Sequence, residues 1–515
     1  MSRMYASTQE IIDYCESEEG KKKAFIQCEY CHAMGNGPGD LWDYQQLMDK
    51  YDNFAGGFIW EWCDHSVYMG RNEKGEDEYF YGGDFGEKLH DGNFCMDGLV
   101  YPDRTPHTGL YELKNVWRPV RARLVSGGEG TATFAFDNYR AFLGFENIEV
   151  SYEITRDGVV EKSGQVDTLP GAVIATGNAD GCRMDIRFVY RSKSDDGLVP
   201  AGHLLGFDQI MLCESTKSVL PKLVRDGSVR VRKVASAPDV YRVSGTKFAY
   251  EFDTSVMGFT SVRAASGREL LRAPMEWNIL RAPTDNDIQI KNKWSYQLGY
   301  DRTYIKCYSS SSEVENGLAV IRVSGALCSD AIRPVVKFNM AWYFDSVGNM
   351  QMKFHGLKGE NLPYLPRFGM RFTIPSDCDR VEYYGYGPYE NYCDKHRADW
   401  MGVFETTVDR LYEPYIRPQE NGHRWGCKWI SVGDGVRFAK FFSDDSLEFN
   451  ASRYSIRELM DRAHRTELKP LDAVELCIDY KMSGVGSNSC GPELLPQYRL
   501  DEKEFDWSLG ISLIK

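Results

Sequence analysis

The hydrophobic pattern changes its period near residue 118, and that change limits the fold more than any other feature of the 515-residue sequence. Before it, short apolar runs flank a helical stretch. Ala24 to Cys28 reads as a buried strand and Ala55 to Trp62 as a second strand, and between them Leu41, Tyr44, Leu47 and Met48 fall on one helix face. Strand, helix, strand at this spacing predicts a parallel βαβ unit. A further helix starts near Pro106 in HTGLYELKNVWRPV, where Pro119 would end it. After residue 118 the period is two. Ile148, Val150, Tyr152 and Ile154 alternate with polar neighbours, and Asp157-Gly158 offers a tight hairpin turn before Val159 and Val160. From about Pro221 onward short strands continue, Leu318 to Val323 and Met340 to Phe344 among them. The stretch LCESTKSVLPK reads as a linker between two β domains. Domains usually run to roughly 100–200 residues, so the length itself calls for about three.

A net charge of −14 leaves no basic stripe to neutralise phosphates, which argues against nucleic acid and anionic membrane as partners. No run of 18 apolar residues is present to span a bilayer. Aromatic residues reach 13%, a level that suits sugar binding or bulky sandwich cores. The 14 cysteines are scattered rather than set in a dense framework, as expected of reduced thiols in a cytoplasm. Cys28 and Cys31 have zinc-like spacing, but no second pair or His doublet follows, so both read as buried small hydrophobes. The N-terminal segment lacks the apolar core of a signal peptide, which agrees with a cytoplasmic location if Met1 is the true start.

Within FIQCEYCHAMGN, Glu29 ends the first predicted strand. Parallel, helix-covered strands place catalytic groups at their C-terminal ends, yet residue type alone leaves open an ordinary ion-paired or capping carboxylate. The motif context is more specific. The segment from Phe25 to Ser66 closely resembles the nucleophile region of the large β-galactosidases of glycoside hydrolase family 2, whose pattern is CEYxHAMGN followed by GGFxWxWxDxS. The resemblance continues in YGGDFGEKLHDGNFCMDGLVYPDRTPH, in RAPTDND (Arg281 to Asp287), in YGYGPYENYCD from Tyr384 and in YIRPQENGHR from Tyr415. These motifs run across nearly the whole chain in the family's order.

The resemblance implies a role for each matching residue. Glu29 corresponds to the nucleophile, which attacks the anomeric carbon so that configuration is retained. Tyr5 corresponds to a tyrosine hydrogen-bonded near it, His32 to a galactose-contacting histidine, and Trp60 to the tryptophan that walls the galactose subsite. Two positions depart from the pattern. Phe94 and Asp97 fall where the family uses a Phe carbonyl and an Asn side chain on a sodium ion, so a cation is expected with its identity open. Cys490 stands where an aglycone-binding tryptophan belongs, which removes a stacking platform.

A retaining glycosidase needs two carboxyls roughly 5–5.5 Å apart. The family's acid/base and its magnesium-binding His and Glu belong to a segment that the resemblance places before residue 1. Glu61 is the one nearby carboxylate that could substitute as the acid. The implied architecture is a partial (β/α)8 TIM barrel over 1–117 containing only the last strands, an immunoglobulin-like β-sandwich over 118–220, and a large β-supersandwich resembling galactose mutarotase over 221–515. The implied activity is hydrolysis of β-galactosides such as lactose, with the missing half as partner and homo-oligomers common in the family. A split-enzyme subunit, a truncated gene product and an expressed fragment all remain open. A non-catalytic carbohydrate-binding or assembly module is the second reading, against which the full CEYxHAMGN motif stands.

Overall fold

Three short strands run parallel at the start of the computed structural model, which describes residues 1–128, 130–264 and 266–514. They are β1 (Ser2–Met4), β2 (Phe25–Tyr30) and β3 (Phe54–Ile59), in that order, with both pairings parallel. Helices α1 (Thr8–Glu16) and α2 (Leu41–Lys50) make the crossovers, and α3 (Thr108–Val116) follows. The two strands and two helices expected from the sequence are present within a few residues. β1 and α1 were not anticipated. At the head of α1, Ser7 accepts the Glu10 N–H while the Glu10 carboxylate accepts the Ser7 N–H, a capping box that contributes about 1 kcal/mol. Ile11, Phe25, Tyr30, Leu41, Tyr44, Phe54, Leu113 and Val116 form the core beneath the strands.

Among the described residues β1 and β3 pair only with β2, so each is an open edge. Large apolar side chains stand exposed beside these edges. Met4 is 56% exposed, Phe58 62% and Trp62 59%. Parallel strands are ordinarily covered on both faces, which makes this an incomplete sheet.

Strands from Val120 to Cys213 form a three-stranded and a four-stranded antiparallel sheet sharing one core that includes Phe134, Phe136, Val150, Ile154, Ile186 and Phe188. The alternation at Ile148, Val150 and Ile154 puts these side chains inward. Asp157 (φ 44°) and Gly158 (φ 81°) both adopt the left-handed conformation that a two-residue hairpin turn requires. After Cys213 the chain has no strand or helix until Arg230. A four-stranded sheet and a twelve-stranded antiparallel sheet then share a second, larger core with Tyr250, Phe259, Trp277, Trp342, Phe354 and Phe368. The strand Phe438–Ser452 pairs with three neighbours, Arg424–Gly433, Ala473–Met482 and Glu504–Ile514, so the large sheet forks and curls there.

All fourteen cysteines are free. Cys31 is buried, but Cys28 is exposed, which corrects the reading of both as buried fillers: along β2 the side chains alternate, and Gln27 is buried where Cys28 faces out. Among the described residues no helix is long and apolar enough to cross a membrane.

Candidate active site

The C-terminal ends of the three parallel strands deliver three of the expected residues side by side. Tyr5 follows β1, Glu29 lies near the end of β2, and Trp60 follows β3. Tyr5 N–H donates to the Glu29 carbonyl at 2.9 Å. Burial first, and the nearby Glu29 carboxylate second, push the Tyr5 phenol far above its ordinary range. Tyr5 therefore stays protonated beside Glu29.

His32 and Asp97 are buried behind them. His32 Nε2 lies 3.5 Å from Asp97 Oδ2, and Trp60 Nε1 donates to the same oxygen at 3.0 Å. The His32 ring stacks on Phe94 at 5.5 Å between centroids and meets Tyr5 edge-on at 5.8 Å. Asp97 Oδ1 is buried with no hydrogen-bond partner. An orphaned carboxylate oxygen, next to a turn whose Phe94 carbonyl accepts no hydrogen bond among the described residues, has the donor chemistry of a cation ligand. Among the described residues no group of three or more His, Cys, Asp or Glu is arranged to hold a metal ion.

Cys490 reaches the same place from the far end of the chain. Burial, then the Glu29 and Asp97 carboxylates, raise its thiol pKa. Glu61 is close enough to Asp97 to be affected: burial first and Asp97 second raise its carboxyl, while His65 Nε2 sits 3.0 Å from Glu61 Oε1.

The β-rich part of the chain holds the loop after Glu29 from behind. Asn36 donates to Tyr392 Oη and to the Glu420 carbonyl, each at 2.8 Å, and accepts from Lys395 Nζ at 3.0 Å. Lys395 also reaches Thr108 at 2.7 Å and Glu390 at 3.1 Å. Burial opposes the Glu390 charge, yet Lys395, Tyr415 and the Gly422 N–H hold its carboxyl below the ordinary range. Asp285 accepts from Asn93 at 2.9 Å, from Arg417 at 3.0 Å and from Gln419 at 2.8 Å, which braces the turn carrying Phe94. The motifs RAPTDND, YENYCD and PQENGHR were visible in the sequence, but their part in buttressing this loop was not assigned.

A cavity of about 640 Å³ between sheets of the last β region is lined by apolar groups such as Phe248, Tyr250, Phe372, Phe441 and Ile511 and includes none of these residues.

Comparison with known proteins gives the lineage. Residues 244–511 match the family model described as beta galactosidase small chain, and residues 1–122 match that of the glycosyl hydrolases family 2 TIM barrel domain. A beta-galactosidase of Actinobacillus pleuropneumoniae is 38% identical over 518 residues, covering 98% of this chain and 49% of the relative. One of Staphylococcus xylosus is 36% identical over 524 residues, covering 100% of this chain and 52% of the relative. The chain thus spans about half the length of the curated relatives it matches. A solved galactose mutarotase related enzyme from Lactobacillus acidophilus aligns with a TM-score of 0.31 at 8% identity, over 54% of this chain and 97% of that one, a likeness too loose to carry an argument. Two family models matching in order, one of them over half the chain, establish that the protein belongs to the β-galactosidases of glycoside hydrolase family 2.

Proposed function

We propose that this chain carries the nucleophile and the galactose subsite of a retaining β-galactosidase that cleaves terminal β-D-galactosyl groups, lactose among them. The observation that carries the reading is Glu29 at a parallel strand end, with Tyr5 held beside it by the 2.9 Å bond from the Tyr5 N–H to the Glu29 carbonyl. In the reaction, Glu29 attacks the anomeric carbon as the bond to the leaving oxygen breaks, forming a galactosyl ester; water then displaces Glu29 and configuration is retained. Tyr5 steadies the carboxylate before attack and after release. Trp60 offers an aromatic face at the rim, and the His32 and Asp97 edge accepts from sugar hydroxyls. Phe94 and Asp97 would hold a monovalent cation, which when bound supplies a coordination position for the 6-hydroxyl.

The acid/base partner is proposed to come from outside this chain, with the remaining strands. The open edges of β1 and β3 and the apolar side chains beside them favour a partner that completes the sheet. The test uses a completed enzyme, in which this chain is joined by the part of the A. pleuropneumoniae relative that it does not match. A 2-fluoro galactoside trap is expected to label Glu29 alone, and Glu29→Gln to lower turnover at least about a thousandfold, because an amide cannot form the glycosyl ester. Labelling of another residue, or turnover near wild type in the variant, would sink the assignment.

A further inference from the structure

His32 Nδ1 lies 2.7 Å from Ser489 Oγ, and the direction of that hydrogen bond is decided one residue further away. Asn286 Nδ2 donates to the Asn36 carbonyl at 3.1 Å and to the Gly486 carbonyl at 3.2 Å. Carbonyl oxygens only accept, so the reversed amide would face its own oxygen against two acceptors. Asn286 Oδ1 must then point at Ser489, from which it accepts the N–H at 3.2 Å and the hydroxyl at 2.8 Å. A serine hydroxyl has one proton to give. With that proton committed to Asn286, Ser489 Oγ can only accept from His32, and Nδ1 carries the proton.

The consequence falls on the other side of the ring. In the neutral imidazole Nε2 is left with its lone pair, and it converges with Asp97 Oδ2 at 3.5 Å. Two acceptors facing one point form a place for a donor. Phe94 and Tyr5 hold the ring plane, and Trp60 Nε1 fixes the carboxylate oxygen.

We propose that Ser489 and Asn286 are positioning residues that fix His32 as its Nδ1-protonated tautomer, so that Nε2 and Asp97 present one acceptor edge to a sugar hydroxyl. The tautomer follows from the hydrogen bonds alone; only the identity of the hydroxyl rests on the galactoside reading. Because Ser489 directly precedes Cys490, one loop sets the protonation pattern of the galactose subsite and carries the residue at its mouth.

The first test is made on the full 515-residue chain with 15N-labelled histidine, at about pH 8, above the ordinary histidine range. The His32 signal is identified among nine histidines by its loss in His32→Gln, and long-range proton–nitrogen couplings read the tautomer. The wild type is expected to show Nδ1–H. Ser489→Ala is expected to move the population toward Nε2–H, and Ser489→Thr, which keeps the hydroxyl, to preserve the wild-type signature. An Nε2–H tautomer or an imidazolium in the wild type, or a Ser489→Ala spectrum like that of the wild type, would overturn the assignment. The second test is kinetic, in the completed enzyme. Ser489→Ala is expected to raise KM for an aryl galactoside about tenfold, equivalent to about 1.4 kcal/mol, with kcat changed less than about twofold. A shifted tautomer with unchanged KM would overturn the substrate role. Failure of the Glu29 trap would instead count against the galactosidase reading and leave the tautomer result untouched.

Discussion

At the scale of single residues, the proposed chemistry centres on Glu29, and its surroundings differ from the family pattern in two places. Cys490 brings a thiol close to Glu29 and Asp97 where the resemblance expects an indole. A thiol offers little face for a leaving sugar, so Cys490→Trp in the completed enzyme is expected to strengthen glucose as an acceptor by about 1 kcal/mol, within the range of an aromatic contact. The ratio of transfer product to hydrolysis product checks this, and an unchanged ratio would count against an aglycone site at that position. That Glu29, Tyr5 and Trp60 lie at neighbouring strand ends was legible in the sequence, because each falls in a short contiguous motif. The roles of Ser489 and Asn286 were not, since the bond between His32 and Ser489 joins positions 457 apart and no local pattern encodes it.

At the scale of elements, two local features are expected to govern how firmly the nucleophile loop is held. Gly35 has φ 60°, and a Cβ there would collide with the side chains of Gln419 and Asp285. Gly35→Ala is therefore expected to lower stability by about 1–3 kcal/mol and to open the loop between Glu29 and α2 to protease; a urea midpoint and cleavage pattern like wild type would contradict this. On α3, burial pushes the Glu112 carboxyl from 4.5 up to about 7. Its Oε2 accepts only the Ala398 N–H, at 2.8 Å, and its Oε1 has no partner. The native chain keeps a proton that the unfolded chain releases near 4.5, so this group costs stability as pH rises from about 4.5 to about 7, and the full cost applies above that. Glu112→Gln cannot ionise, so its urea midpoints at about pH 5 and about pH 8 are expected to differ less than those of the wild type. Equal pH dependence in both would rule the group out as a contributor. Elements with strong periodicity, α2 and the Ile148–Arg156 strand, could be read from the sequence. β1 could not, because three residues of strand carry no period, whereas α1 carried both the Ser7–Glu10 cap and a buried face at Ile11 and Cys15 that the sequence reading passed over.

At the scale of the whole molecule, a three-stranded parallel sheet with two open edges is joined to β domains whose own cores are closed. The β domains are positioned to hold the loop after Glu29 in place, while the sheet that presents Glu29 has both outer edges unpaired among the described residues. If Glu29 is the nucleophile and the acid comes from a second part, as proposed, the chain alone would lose a factor of roughly 10² to 10⁴ from leaving-group protonation. The deciding measurement is lactose hydrolysis by the purified 515-residue chain, alone and after addition of the unmatched part of the A. pleuropneumoniae relative, with an activated aryl galactoside in parallel. The expected result is no measurable lactose turnover by the chain alone and activity once the second part is added. Robust lactose turnover by the chain alone would contradict the account and point to an acid within it, with Glu61, whose carboxyl burial and Asp97 already raise, the first residue to replace.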